Sequence, residues 1–172
     1  MKLLTRRFLF RSVSLSLGVW MLTACGFQMR QTPDFVFKTI YVGFNANSNL
    51  GEEFKRALQM QGDVRLITDN RQLDAAQVIL DVLTDQREKS VVGANVSGQV
   101  REFQLRLRFK YRLRTLAGKE LIPETELLLQ RDITYNETAA LSKEAEENLL
   151  YRNMQSDIVQ QTLRRLSVLR SL

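Results

Sequence analysis

The chain has 172 residues, with 25 Lys and Arg against 19 Asp and Glu, no histidine, one cysteine and a formal charge of +6. With neither histidine nor a second thiol it holds no Ser-His-Asp or Cys-His catalytic set, no usual zinc ligand set and no intrachain disulfide. No GxGxxG or P-loop stretch supports nucleotide binding, and no carboxylate pair stands out for glycoside chemistry, so neither a cofactor nor an enzyme is expected.

The first element in chain order is a signal peptide. Lys2, Arg6, Arg7 and Arg11 form a positive start, an uncharged apolar run follows from Val13, and Leu22-Thr23-Ala24-Cys25 reads as a lipobox. Residues 13–24 are too few for a membrane-spanning helix, which needs about 20. Cleavage before Cys25 leaves 1–24 as signal, Cys25 as the acylation (palmitate) site and 25–34 as a lipidated tether; several acyl chains anchor where one is marginal. In the lipoproteins that this start resembles, an acidic residue after the cysteine retains the protein in the inner membrane, so Gly26 implies the outer membrane, with the protein on its periplasmic face. Residues 5–10 also fit a twin-arginine signal, so both export routes stay open. Removing four cations with the signal leaves the remainder at only +2, and no nucleic-acid partner is expected.

Residues 35–172 are expected to form one domain, long enough to bury a core without staples. Residues 35–42, aromatic and β-branched, read as the first strand. Asn47 or Ser48 caps a helix in which Leu50, Phe54, Ala57, Leu58 and Gln61 recur at helical spacing, and Gly62 ends it. Residues 73–76 lead into a second strand, 78–84, which the helical crossover makes parallel to the first. Residues 86–97 read as a long hairpin connection. In 103–115 Phe103, Leu105, Leu107, Phe109, Tyr111 and Leu113 alternate with Gln104, Arg106, Arg108, Lys110, Arg112 and Arg114, which puts one face on a core and one face charged. A turn at Ala117, Gly118 and Lys119 precedes a fourth strand over 120–135. Ala145, Leu149, Leu150, Met154, Ile158, Val159, Leu163 and Leu166 form the stripe of a last helix.

The cationic face of the third strand has two readings. Counting from the turn, Arg112 faces Glu124, Lys110 faces Glu126 and Arg106 faces Gln130, while Phe109 and Leu107 face Leu127 and Leu129; both faces match, as cross-strand pairing demands. Pro123 is placed to spoil this with a bulge. Arg108 faces Leu128, which leaves part of the row unpaired and open to an anionic ligand.

Residues 25–30, Cys-Gly-Phe-Gln-Met-Arg, resemble the Cys-Gly-aromatic-x-Leu-Arg opening of the lipopolysaccharide (LPS) assembly lipoprotein family LptE (RlpB). Residues 140–147 (Ala-Leu-Ser-Lys-Glu-Ala-Glu-Glu) are similar to its segment before the last helix, and 150–154 and 159–166 continue the likeness. The resemblance implies an outer-membrane lipoprotein of Gram-negative bacteria that sits as a plug inside the LptD β-barrel and helps deliver LPS to the surface, with no catalysis. It implies an α+β two-layer sandwich, a mixed four-stranded sheet with two helices packed on one face in the order β-α-β-β-β-α. LPS binding in the family rests on basic residues, one of which corresponds to Lys143. A second basic position precedes Gly98-Gln99, where this chain has Val96 and Ser97, so Lys89 or Arg101 would substitute. Arg106, Arg108, Lys110 and Arg112 complete the candidates. The alternative is another periplasm-facing envelope lipoprotein, a scaffold or a carboxylate-dependent hydrolase, with no LPS role.

Overall fold

The computed structural model describes residues 35–61 and 63–172. The signal peptide, Cys25, the tether and Gly62 lie outside them. Five strands form one mixed sheet in the order β2-β1-β3-β4-β5. They are β1 (Thr39–Val42), β2 (Arg65–Ile67), β3 (Val78–Ala94), β4 (Val100–Thr115) and β5 (Glu120–Thr134). β1 runs parallel to β2 and to β3, and the β3–β4–β5 meander is antiparallel. Helices α1 (Asn49–Gln59) and α2 (Ala140–Ser167) touch each other and share one core with the sheet. The α+β class, the mixed sheet and the parallel pairing of β1 with β3 match the sequence expectation; the strand count does not.

The additional strand is β2. It has three residues, too few to show alternation, and its identity comes from pairing with β1, where Ile40 lies opposite Leu66 and Tyr41 opposite Ile67. Behind it the short 3-10 segment Asn70–Ala75 lies by the opposite face of the sheet, where Leu73 and Ala76 pack with Ile67, Ile79 and Tyr41.

The second departure is β3, which continues to Ala94, so residues 86–94 are strand and the connection shrinks to 95–99. A register shift between Val82 and Thr84 changes which residues face the helices. Before it they are Val78, Leu80 and Val82. After it, paired to the core residues Phe109, Leu107 and Leu105, they are Asp85, Arg87 and Lys89. With polar residues on both faces the strand loses the alternation by which sequence reveals strands, and pairing with β4 holds it instead.

α1 forms because Ser48 caps it. The Ser48 hydroxyl accepts from the Gly51 N–H at 2.7 Å and donates to the Asp85 carboxylate, which fastens the helix start to β3. A Cβ at Gly51 would lie 2.7 Å from the Phe44 side chain, so glycine lets the first turn approach the core. Leu50, Phe54 and Leu58 are buried beneath the helix; burial of each stabilises by about 1.5–3 kcal/mol.

β4 keeps the predicted phase. Leu105, Leu107, Phe109, Tyr111 and Leu113 are all at most 1 % exposed. Phe109 stacks between Phe44 and Tyr111 at centroid distances of 5.6 and 5.2 Å. The turn to β5 closes through Thr115 and Lys119, with Gly118 at φ +90°. Opposite β4, Lys110 faces Glu126, Phe109 faces Leu127, Arg108 faces Leu128, Leu107 faces Leu129 and Arg106 faces Gln130, as predicted. Arg112 does not face Glu124. Between Tyr111 and Leu113 on β4 the β5 partners run from Thr125 to Ile122, an extra residue at Pro123, which has no N–H for the ladder.

α2 begins five residues before the predicted stripe, at Ala140. Met154, Ile158, Val159, Leu163 and Leu166 are buried as predicted, and so are Tyr151, Gln155 and Thr162. Ala145 and Leu149 are exposed instead, since they lie in helical phase with the exposed Arg152, Asn153 and Ser156 and off the stripe of Tyr151 and Met154.

Candidate functional site

The row of cations on β4 lies on the face of the sheet away from the helices. Each neighbouring strand supplies carboxylates to it. Arg108 pairs with Glu126 at 3.0 Å and Glu88 at 3.5 Å, Lys110 with Glu124 at 2.9 Å, and both Arg112 and Arg114 with Asp81 at 2.8 Å. Arg106 donates to Gln104 Oε1 at 2.8 Å. Arg108 is thus paired diagonally, against the expectation from its apolar opposite, Leu128. At Asp81, burial pushes the carboxyl up, and the hydrogen bonds from Arg114 and Arg112 outweigh it, so the group sits below its ordinary range. The hydrogen bond to Glu124 raises Lys110 above its ordinary value.

A different arrangement occupies the helix side, at the far end of β3 and β4. Phe103, Ile133 and Tyr135 line a cleft of about 360 Å³, with Lys89 from β3 and Lys143 from α2 among its walls. Phe103 and Tyr135 meet edge to face at 5.3 Å. Lys89 Nζ sits 4.3 Å over the Phe103 ring and pairs with Glu147 at 2.6 Å. Lys143 Nζ donates to Glu146 at 2.8 Å and to Thr134 Oγ1 at 3.1 Å. The result is an aromatic floor with two ammonium groups and the carboxylates of Glu144 and Glu147 in its walls. It suits an anionic amphiphile whose apolar part lies on the rings and whose anion takes the lysines from those carboxylates.

Of the residues singled out from sequence, Lys89 and Lys143 therefore come together although they are 54 positions apart. Arg101 stands beside them through its backbone, its carbonyl accepting from Tyr135 N–H at 2.7 Å, and its exposed guanidinium has no ion pair among the described residues. Arg106, Arg108, Lys110 and Arg112 are on the opposite face. Sequence reasoning missed the floor: Phe103 reads as core and Tyr135 as a strand end, and the only available signal was that the alternation of β4 outruns the stripe of α2. Among the described residues no three of His, Cys, Asp and Glu are placed to hold a metal ion.

The LptE lipopolysaccharide-assembly family model matches residues 37–166. The chain is 26 % identical over 155 residues to the LPS-assembly lipoprotein LptE of Pectobacterium atrosepticum, covering 88 % of this chain and 82 % of that one. Among solved structures it is similar to lipoprotein B of Nitrosomonas europaea, with 31 % identity and a TM-score of 0.69 over 83 % of this chain and 90 % of that one. The rare lipoprotein B of Shewanella oneidensis, 20 % identical, shares the fold at a TM-score of 0.61, with 76 % and 94 % covered.

Proposed function

The chain belongs to the LptE family of lipopolysaccharide-assembly lipoproteins, and from that premise we propose that it seats inside the barrel of an LptD-type outer-membrane protein and contacts LPS there. In this reading residues 1–24 direct export, Cys25 carries the lipid that holds the protein to the outer membrane, and 25–34 tether the domain. The work is binding and assembly rather than catalysis. The observation that carries the reading is the family match across 37–166, which runs from before β1 into the last turn of α2 and so includes the Lys89–Lys143 cleft.

The cleft suits the ligand on energetic grounds. Lys89 and Lys143 are held by Glu147 and Glu146 in partly exposed pairs, worth about 0–1 kcal/mol each. A phosphate accepts stronger, charge-assisted hydrogen bonds and can displace those carboxylates, while acyl or ring surface settles on Phe103 and Tyr135.

Purification of the full lipidated chain from envelopes tests the proposal. A large β-barrel that co-purifies, together with retention of labelled LPS, is the expected result; loss of both leaves the scaffold alternative. Cys25→Ala is expected to leave an unprocessed precursor that takes up no labelled palmitate, and unchanged uptake would remove the lipid anchor from the reading.

A further inference from the structure

A second cleft lies between the helices, over the part of β3 where Asp85 and Arg87 replace apolar residues. It has two lobes, of about 360 and 530 Å³, that share Asn49, Arg87 and Gln155. None of these residues belongs to the Lys89–Lys143 cleft.

Gln155 is the informative one. It sits on the buried stripe of α2 beside Met154, Ile158 and Val159, and is only 3 % exposed. Burying an amide is costly unless its hydrogen bonds are made. Its Oε1 accepts from Arg87 Nη2 at 2.8 Å, yet among the described residues its Nε2 donates to no protein group, and it is not sealed from the cleft that Gln155 lines. Arg87 is held in turn by the Tyr151 ring, 5.0 Å away, and Tyr151 is fixed by its hydroxyl donating to the Glu88 carbonyl at 2.7 Å. The floor is thus pre-set, with donors unspent. Asp85 gives one oxygen to Ser48 and keeps the other as an acceptor.

Arg56 from α1 and Arg152 from α2 line the larger lobe, and among the described residues Arg56, Arg87 and Arg152 form no ion pair. The cations on β4 from Arg108 to Arg114 all do. We infer that this interhelix cleft binds an acidic saccharide, a sugar bearing a phosphate or carboxylate. Its lining alternates donors and acceptors. The larger lobe has no apolar side chain among its lining residues, which excludes an acyl chain, and no aromatic side chain lines either lobe, which excludes a stacked base. A bare phosphate would also meet Glu52 and Glu53 in the wall, whereas sugar hydroxyls donate to such carboxylates while the anionic substituent takes a guanidinium fork.

The choice of glycan rests on the LPS reading, and the probe is deacylated lipopolysaccharide, titrated by NMR into the full chain in detergent, with maltotriose and inorganic phosphate as controls. The oligosaccharide is expected to shift the Gln155 side-chain amide and Arg87 Nε. Arg87→Met with Gln155→Leu, which completes the apolar stripe, should keep the fold by circular dichroism and weaken binding about tenfold, the loss of one charge-assisted contact. If that pair fails to fold, Arg152→Ala, an exposed wall residue, must weaken binding by itself. No shift at Gln155 and Arg87, equal affinity in the variants, or equal binding of maltotriose or phosphate overturns the proposal. Equal retention of intact LPS by the wild type and a Lys89→Asp, Lys143→Asp variant, with the oligosaccharide shifts unchanged, would take the lysine cleft out of the earlier reading and leave this one standing.

Discussion

Along the open face of the meander, Arg108, Lys110, Arg112 and Arg114 meet carboxylates from the strands on either side. On the helix-covered face of the same strands Arg87 has no carboxylate partner among the described residues, and the pairs of Lys89 and Lys143 come from the first turns of α2. The open face carries the densest row of cations, and from Arg108 to Arg114 each is spent on a carboxylate, while Arg106 donates to Gln104. A row of like charge on a central strand is a ladder when its neighbours carry acids in register, because each cation is neutralised at fixed backbone spacing. Cations fit for a ligand are those whose partners are absent or easily displaced.

The comparison breaks most completely if the phase of β4 is reversed. Phe109→Asp puts an unpaired carboxylate into a site 1 % exposed, between Phe44 and Tyr111. A loss of about 4 kcal/mol or more in urea denaturation is expected, enough to unfold a domain of ordinary stability. A wild-type midpoint would mean that the two faces have been exchanged.

On the open face, Asp81→Asn removes the carboxylate shared by Arg112 and Arg114 and should cost about 1 kcal/mol near neutral pH. Asp81 is depressed below its ordinary 3.8 in the folded state. The stability it contributes is therefore complete above that value and lost as pH falls through the lower folded one, so the wild-type advantage over Asp81→Asn should shrink below about pH 4. An advantage that persists at lower pH would separate Asp81 from the ladder.

On the core face, the Tyr111 hydroxyl is buried without a hydrogen bond of proper geometry, though Arg165 and Thr162 lie near. Tyr111→Phe deletes that unpaired group and should raise stability by up to about 1 kcal/mol. Burial holds the phenol above its ordinary 10.0, so the unfolded chain ionises first and the wild type should lose stability as pH rises past about 10. The Phe variant should lose less, as measured by thermal midpoints on both sides of that pH.

How much was legible in the sequence follows from the same contrast. β4 was readable because every position alternates, and its register with β5 because two independent faces had to match at once, until Pro123 inserted a residue. β2 was not, since three residues carry no period. The outer half of β3 was hidden because Asp85, Arg87 and Lys89 face the helices where apolar residues normally would. Lys143 and Lys89 were named through a family likeness and a substitution argument; their meeting over Phe103 and Tyr135 required the fold. Gln155 had one visible signal, an amide in the phase of Met154, Ile158 and Val159.

The smallest effect on stability should carry the largest effect on function. Lys143 stands in the first turn of α2, where a cation gains nothing from the helix dipole, and its i,i+3 pair with Glu146 is worth a few tenths of a kcal/mol. Lys89→Asp combined with Lys143→Asp should therefore shift the thermal midpoint by only a few degrees, about 1 kcal/mol at this size, while retention of labelled LPS falls and the remaining binding becomes less sensitive to salt. Glu147→Gln makes the opposite change: it frees Lys89 from its 2.6 Å pair, and LPS binding should strengthen at low ionic strength. Adding Arg101→Asp to the double variant asks whether the unpaired neighbour contributes. Equal LPS retention by the wild type and the double variant would take these lysines out of the site and return attention to Arg106, which donates to Gln104, and to Arg108, Lys110 and Arg112, where any ligand must first displace Asp81, Glu88, Glu124 and Glu126.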